Sequence, residues 1–403
     1  MRILHVTPYY EHAWAYGGIP RVVSALASGM AARGHEVTVC TTDARVRDER
    51  LPRPDGTPRF VSWRETTAAG VDVRIFPNVS NWLAYDLQFF LPIGLSAYLR
   101  AHAADFDIAH VHACHNIPGA VAARHLIKAR VPYVLTPHGT ALRLERRLLA
   151  KYLFDVSIGR NVLSGAARLL AVSEAERIQL HSMDVPDGRI AVIPNPSDLA
   201  EFAVPIERGT FRARYGLGDG ELIMFLGKLT PRKRLDVLAR AFASLTRPGA
   251  RLVVVGNDMG YGAELERLIE TLRIGDRTLR TGLLTGRDRL EALADADVVV
   301  YPSKDEIFGL VPIEAILCGT PVVVADDSGC GEVITRVGGG LVVPQGNAGD
   351  LATAITTVLE TPAHWRRSAE AAALRAREWY GAASVCDQLE TVYREVIGER
   401  SPR

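Results

Sequence analysis

The chain has 403 residues, 48% of them hydrophobic, which is long enough for two domains with cores of their own. Its 47 basic and 46 acidic side chains leave a net charge of +1, so no global field for nucleic acid is expected. Five cysteines (Cys40, Cys114, Cys318, Cys330 and Cys386) are odd in number and show no C-x-x-C spacing, which fits a reducing compartment better than a disulfide scaffold.

The first half alternates strand and helix. A strand at 2–7 leads into a loop carrying Tyr16-Gly17-Gly18, and Pro20 opens an amphipathic helix that Gly34 stops. A strand follows at 36–41, and residues 44–60, charged and proline-rich, read as an exposed loop. Strand 71–76, an aromatic stretch and a helix near 92–103 come next. Strand 107–112, a helix from about 117, strand 131–136, a long helix 141–164, strand 168–172, helix 173–182 and strand 189–194 complete the half. Such alternation implies parallel βαβ units in one doubly wound sheet.

Pro194-Asn195-Pro196 breaks the pattern, and 197–220 reads as a linker with one short helix. The alternation restarts with strands 221–226, 251–255, 277–281 and 297–301 and helices 234–245, 262–273 and 286–295. After Leu341-Val342-Val343 three helices are expected, at 349–360, 363–378 and 382–397. The domains expected are 1–197, joined by about 381–403, and 198–380.

Chemistry concentrates where apolar strands end. Between strands 297–301 and 321–324, Glu306 and Glu314 stand eight residues apart around Phe308-Gly309-Leu310, with Gly309 permitting close backbone approach to a ligand. Two solvated surface glutamates would read the same way. Gly17-Gly18 precedes a helix N-terminus suited to a phosphate, although such pairs are common in turns. Lys228 and Lys233 flank another strand-to-helix loop, where a basic cluster is either solvated or a clamp for growing phosphate charge. His138 follows strand 131–136 directly, beside Gly139, at the edge where such sheets open to ligands.

Metal sites read poorly. His110, His112, Cys114 and His115 are close in sequence, but His110 and His112 share one strand face and His115 lies beyond the strand end. No distant partner is evident, and no metal is expected. Asp105-Phe106-Asp107 and Asp295-Ala296-Asp297 stand before strands, at the end of a sheet away from ligands.

Glu306-x-Phe308-Gly309-Leu310 with Glu314-Ala315 resembles the E-x7-E signature of retaining glycosyltransferases of family 4, with Ile307 where the family usually has proline. Gly227-Lys228-Leu229 followed by Lys233 resembles the family's G-R-L-x-x-x-K pattern, with lysine in place of arginine at 228. Gly329-Cys330-Gly331-Glu332, preceded by Ser328, is similar to its G-x-x-E loop. The resemblance covers nearly the whole chain.

It implies the GT-B fold: α/β, two Rossmann-like doubly wound domains facing across a cleft, with the last helix crossing back to the first domain. It implies transfer of a sugar, with retention and without metal or other cofactor, from a UDP- or GDP-linked donor to a glycan, lipid-linked or small-molecule acceptor, as in assembly of surface polysaccharides. By the same resemblance, Lys228 and Lys233 hold the diphosphate, Glu314 the ribose, and Glu306 with the backbone of Phe308, Gly309 and Leu310 the sugar. Gly17 and Gly18 approach the diphosphate and His138 lies by the transferred sugar. Nucleotide-sugar epimerases share the fold, and a non-catalytic sugar-nucleotide-binding subunit is a further alternative. The intact glutamate pair favours the transferase.

Met1-Arg2 runs straight into a strand, so no signal-peptide core is seen and a cytoplasmic protein is expected. Val79 to Leu99 carries Asn81, Asp86, Gln88 and Pro92 and makes a poor membrane span. Trp82, Tyr85, Phe89 and Phe90, with the basic Arg143, Arg147 and Lys151 of the helix 141–164, point to peripheral contact with an anionic membrane. Packing of the aromatics in the domain core, and a merely solvated basic face, would account for the same residues.

Overall fold

The computed structural model describes residues 1–141, 160–326 and 329–399. They form two compact units, Met1–Pro196 with Ala382–Arg403, and Ser197–Gly381.

In unit 1 the elements run β1 (Arg2–Val6), α1 (Ile19–Ala32), β2 (Glu36–Thr42), β3 (Trp63–Thr66), β4 (Asp72–Phe76), α2 (Asn81–Leu87), α3 (Leu95–His102), β5 (Ile108–His112), α4 (Ile117–Ala129), β6 (Tyr133–Thr136), α5 (Arg160–Ser164), β7 (Arg168–Ala171), α6 (Glu174–His181) and β8 (Ile190–Val192). The eight strands are ordered β3-β4-β2-β1-β5-β6-β7-β8, parallel except for the edge strand β3. The central strands are buried on both faces because helices cover both, which explains their unbroken apolar runs. Local chemistry sets the helix starts. Asn116 Oδ1 accepts from the Gly119 N–H at 2.7 Å to open α4, and Pro118 occupies its first turn.

Two elements differ from expectation. Trp63–Thr66 pairs antiparallel with β4, its indole buried and donating to Glu65 at 2.9 Å. Asn81–Leu87 is a short helix capped by Ser80. The aromatic stretch around it mostly turns inward: Phe90 and Tyr16 pack with Tyr9, while Trp82 and Phe89 stay 55% and 44% exposed. Arg143, Arg147 and Lys151 lie outside the described residues, as does most of the expected helix 141–164.

Unit 2 runs α7 (Thr210–Tyr215), β9 (Leu222–Leu226), α8 (Leu235–Ser244), β10 (Arg251–Val255), α9 (Gly262–Thr271), β11 (Thr278–Gly282), α10 (Gly286–Asp295), β12 (Val298–Tyr301), α11 (Leu310–Leu317), β13 (Val322–Ala325), α12 (Gly329–Val337), β14 (Gly340–Val343), α13 (Ala348–Glu360) and α14 (Pro362–Tyr380). Its six strands, all parallel, are ordered β11-β10-β9-β12-β13-β14. Within this unit the Ser197 N–H donates to the Tyr380 carbonyl at 2.7 Å, so the unit's first and last residues are neighbours.

The last helix, α15 (Ala382–Gly398), belongs to unit 1 and packs on α1. Gly29 makes this possible, since a Cβ there would stand 2.5 Å from Cys386 Sγ. Arg33 of the α1 C-cap donates to Asp387 at 2.7 Å and to the Ala383 carbonyl at 2.6 Å. Among the described residues, no helix is long and apolar enough to cross a membrane.

Each sheet reverses its order of growth once, between β1 and β5 in unit 1 and between β9 and β12 in unit 2. Open α/β sheets bind ligands beyond the carboxyl ends of such strand pairs.

Candidate active site

At the unit 2 switch point, β9 ends at Leu226, just before Gly227, and β12 ends at Tyr301. A Cβ on Gly256, after β10, would lie 1.8 Å from the Gly227 carbonyl oxygen, so these loops meet backbone to backbone. The loop after β9, carrying Lys228, makes one 3-10 turn at Pro231–Lys233. It is tied to the loop after β12 from both sides. The Lys304 N–H donates to the Arg232 carbonyl at 2.8 Å, and the Arg232 guanidinium donates to the Asp305 carbonyl at 2.6 Å. Asp305 itself is left-handed, φ 54°, a conformation that costs a non-glycine residue about 1–3 kcal/mol and is held only by its surroundings.

This clamp brings Lys233 to Glu306. The ammonium donates to the Glu306 carboxylate and to the Tyr301 hydroxyl, and lies 4.5 Å from the centroid of the Tyr301 ring, which stacks on Phe225. Burial works against the Lys233 charge, but Glu306 and then Tyr301 outweigh it and hold the group above the usual lysine range. Burial, and then Glu306, raises the Tyr301 hydroxyl. The result is a strongly polar site with its charges compensated.

Phe308 is buried with its ring edge-on to Tyr380, so its side chain serves the core. Gly309 is the N-cap of α11, and a Cβ there would meet Cys330 Sγ at 3.1 Å. Gly329 is more constrained, since a Cβ would stand 1.8 Å from the Ile307 carbonyl oxygen. The glycines at 329 and 309 therefore let the start of α12 seat on the Glu306–Leu310 loop. Ser328 lies outside the described residues.

Glu314, on α11, is only 4% exposed and is met by Arg289 from α10, which also donates to Glu201. Burial opposes the Arg289 charge; Glu314 and then Glu201 more than restore it. Arg289 and Glu201 were not singled out from sequence. Nothing local marks them, because both contacts are long-range.

At the unit 1 switch point, Gly17 (φ 104°) closes a 3-10 turn at Trp14–Tyr16 and Gly18 is the N-cap of α1. Beyond β6, His138 is left-handed at φ 52° and is followed by Gly139, also left-handed. Glu176 holds this turn: its carboxylate accepts from the Gly139 N–H at 2.5 Å and from the Val172 N–H at 2.8 Å. Burial pushes the Glu176 carboxyl up to about 7, against those two hydrogen bonds. Ser173-Glu174-Ala175-Glu176 has the form of a capping box, and Ser173 does cap α6, but the Glu176 side chain is turned to the His138 loop instead.

His138 joins a line of imidazoles. His5 Nδ1 lies 3.0 Å from His112 Nε2, and His112 Nδ1 lies 3.2 Å from His138 Nε2. His110 stacks on His112 at 3.9 Å, while its own nitrogens meet Tyr393 and Thr136 hydroxyls, each at 2.7 Å. Burial lowers His5 and His138 to about 3, and His110 and His112 well below the usual range. Burial thus favours the neutral form of all four rings.

The expectation that His110 and His112 lack a distant partner is therefore corrected. His5 pairs in register with His110 on the neighbouring strand, and nitrogens of His5, His110 and His112 come within 4.8 Å of one another. This triad still has poor chemistry for a metal. Both nitrogens of His110 are engaged by hydroxyls, and His5 Nδ1 and His112 Nε2 are engaged with each other. The aspartate pairs are spent on the fold: Asp295 accepts from Gly209 and Arg212 N–H groups, Asp297 from Leu222, and Asp107 from Arg2.

The family model for glycosyl transferases group 1 matches residues 207–378, and that for glycosyltransferase family 4 matches residues 16–201. The D-inositol 3-phosphate glycosyltransferase of Kineococcus radiotolerans is 31% identical, over 96% of this chain and 92% of that protein. The chain belongs to glycosyltransferase family 4. The D-inositol 3-phosphate glycosyltransferase of Frankia alni is also 31% identical, over 94% of this glycosyltransferase and 95% of that protein. In fold, the enzyme is similar to Anabaena HepE in complex with UDP and glucose, at a TM-score of 0.75 and 20% identity over 98% of this chain and all of that one. The GT-B fold expected from the resemblance is the fold observed for this glycosyltransferase.

Proposed function

We propose that this glycosyltransferase moves a sugar from a nucleoside diphosphate donor to a hydroxyl acceptor with retention of anomeric configuration and without a metal. Unit 2 binds the donor and unit 1 the acceptor. Lys228 and Lys233, with Arg232 fixing their loop, face the diphosphate, where cations take up the charge that grows as the bond breaks. Glu306 and the Phe308–Leu310 backbone hold the sugar, Gly17 and Gly18 approach the diphosphate, and His138 contacts the sugar. Glu314, held by Arg289, binds the ribose. The acceptor oxygen attacks the anomeric carbon from the face the leaving group departs. The carbon–oxygen bond to the diphosphate breaks with its electron pair on oxygen, and the acceptor proton passes to that leaving group.

The observation that carries this reading is the contact of Lys233 with Glu306 at the β9–β12 switch point, which joins the two sequence motifs in one site. UDP is the nucleotide to try first, since HepE has been solved with UDP-glucose. D-inositol 3-phosphate, named for the relatives, is the first acceptor, followed by glycan and lipid-linked acceptors of surface polysaccharides. Incubation with UDP-glucose should release UDP only with acceptor present. Epimerisation of donor alone would favour the isomerase, and binding without turnover the non-catalytic subunit.

The enzyme is further proposed to work in the cytoplasm against an anionic membrane, with Val79, Trp82 and Phe89 as exposed apolar contacts. Flotation with anionic liposomes at low salt should carry it, and sedimentation of the protein alone in that gradient refutes this placement.

A further inference from the structure

The direction of the hydrogen bonds in the His5–His112–His138 line is constrained by chemistry. A neutral imidazole has one N–H and one bare nitrogen, so it donates on one side and accepts on the other. His112 sits between two rings that both approach its nitrogens, at 3.0 Å and 3.2 Å. If its Nδ1 donates to His138, its Nε2 must accept from His5, and both links run the same way. The alternative reverses both at once.

The ends decide between them. Among the described residues neither buried end, His5 Nε2 or His138 Nδ1, has a partner in hydrogen-bond geometry, but His138 has the Asn195 side chain beside it and lines with Asn195, Pro194 and Thr136 a cavity of about 10 Å³. That volume is room for about one water molecule. An unpaired buried N–H is a rarer defect than an unpaired acceptor. The bare nitrogen therefore belongs at His5 Nε2 and the N–H at His138 Nδ1, where the Asn195 side chain or a single hydroxyl oxygen can accept it. Protons then sit on Nδ1 of all three rings.

We propose that His5 and His112 are positioning residues for His138, holding it neutral with its proton on Nδ1, so that it enters the reaction as a hydrogen-bond donor and not as a base. The inference rests on the proposed role of His138 in sugar transfer. It assigns work to two buried histidines that would otherwise be core residues. The surroundings reinforce the alignment: His110 stacks on His112, Tyr393 and Thr136 fix His110, and Glu176 fixes the turn that carries His138.

The test uses the full chain with ¹⁵N-labelled histidine at pH 7. Two-bond nitrogen–proton correlations read which nitrogen carries the proton, with signals assigned by single substitutions. His5, His112 and His138 should each be protonated on Nδ1. Protonation of His138 on Nε2, or a charged His138, overturns the proposal whether or not the protein transfers sugar. In His112→Phe, which keeps ring volume, His138 should lose its single tautomer and kcat should fall roughly 10- to 100-fold with little change in donor KM. His5→Phe, which leaves the His112–His138 contact in place, should give a smaller fall in kcat and tests the chain if His112→Phe fails to fold. Unchanged kcat in either folded variant overturns the positioning role. If the tautomers are as stated while His138→Ala transfers at the wild-type rate, the assignment of His138 to the reaction is what fails, and the positioning role falls with it.

Discussion

The two switch points occupy equivalent places in two similar sheets, yet they handle burial in opposite ways. In unit 2, ionised groups are kept and matched: Lys233 with Glu306, and Arg289 between Glu314 and Glu201. In unit 1, His5, His110, His112 and His138 surrender their charge and hydrogen-bond as neutral rings. Either route meets the cost of taking a polar group out of water. The routes differ in what they leave for chemistry. Paired charges can be redirected to an anionic ligand, whereas neutral rings offer direction without charge.

The comparison can be broken most forcefully at Glu306. Glu306→Ala should lower sugar transfer by roughly a thousandfold or more while the thermal shift induced by UDP survives, because the substitution leaves in place Lys228 and Lys233, the cations proposed to face the diphosphate. Near-normal turnover would show that the carboxylate serves only to neutralise Lys233. Next in size is Arg289→Met, which leaves two carboxylates around an apolar side chain. It should cost about 3–5 kcal/mol in urea unfolding, the scale for removing one partner of a buried pair.

Acid sharpens the contrast. The imidazoles are depressed in the folded state, so the unfolded chain binds more protons below its ordinary histidine range near 6.5 and stability falls with pH. Between pH 7 and 5.5, His5, His110, His112 and His138 together should cost about 5 kcal/mol. Glu176 acts with the opposite sign. Its folded carboxyl, raised to about 7, binds a proton that the unfolded chain releases, returning about 2 kcal/mol over the same range. Urea unfolding at pH 7 and 5.5 should give the difference, and Glu176→Gln should steepen the acid loss. A flat profile would mean that the rings are protonated in the fold. The smallest effect expected is that of EDTA: turnover should not change, and loss restored by one divalent ion would return the His5–His110–His112 triad to consideration as a metal site.

Much of the architecture was legible because both sheets are parallel, and parallel strands buried on two faces leave continuous apolar runs between amphipathic helices. Edge strand β3 was not legible, since Trp63–Thr66 has one buried indole and otherwise charged or polar residues exposed at the sheet margin. Glu306, Gly309 and Glu314 could be read from local spacing. Their partners could not. Arg289 is 25 residues from Glu314 and 88 from Glu201, and His5 is 107 residues from His112, so only the strand order brings them together. Glu176 was hidden for another reason: its spacing from Ser173 has the form of a capping box, so nothing local marks it as the partner of the His138 turn.

The placement of α15 has a consequence for biosynthesis. Unit 1 is begun before unit 2 in translation but finished after it, because Cys386 fills the space at Gly29 and the Tyr393 hydroxyl meets His110. All of unit 2 is made in between, which at about 5–20 residues per second takes roughly 10–40 s. During that time the nascent chain displays an α1 face without its covering helix, and His110 without its tyrosine. Its two ends being adjacent, unit 2 can close on itself while unit 1 waits. A premature stop before Tyr393 would therefore injure the domain whose translation began first.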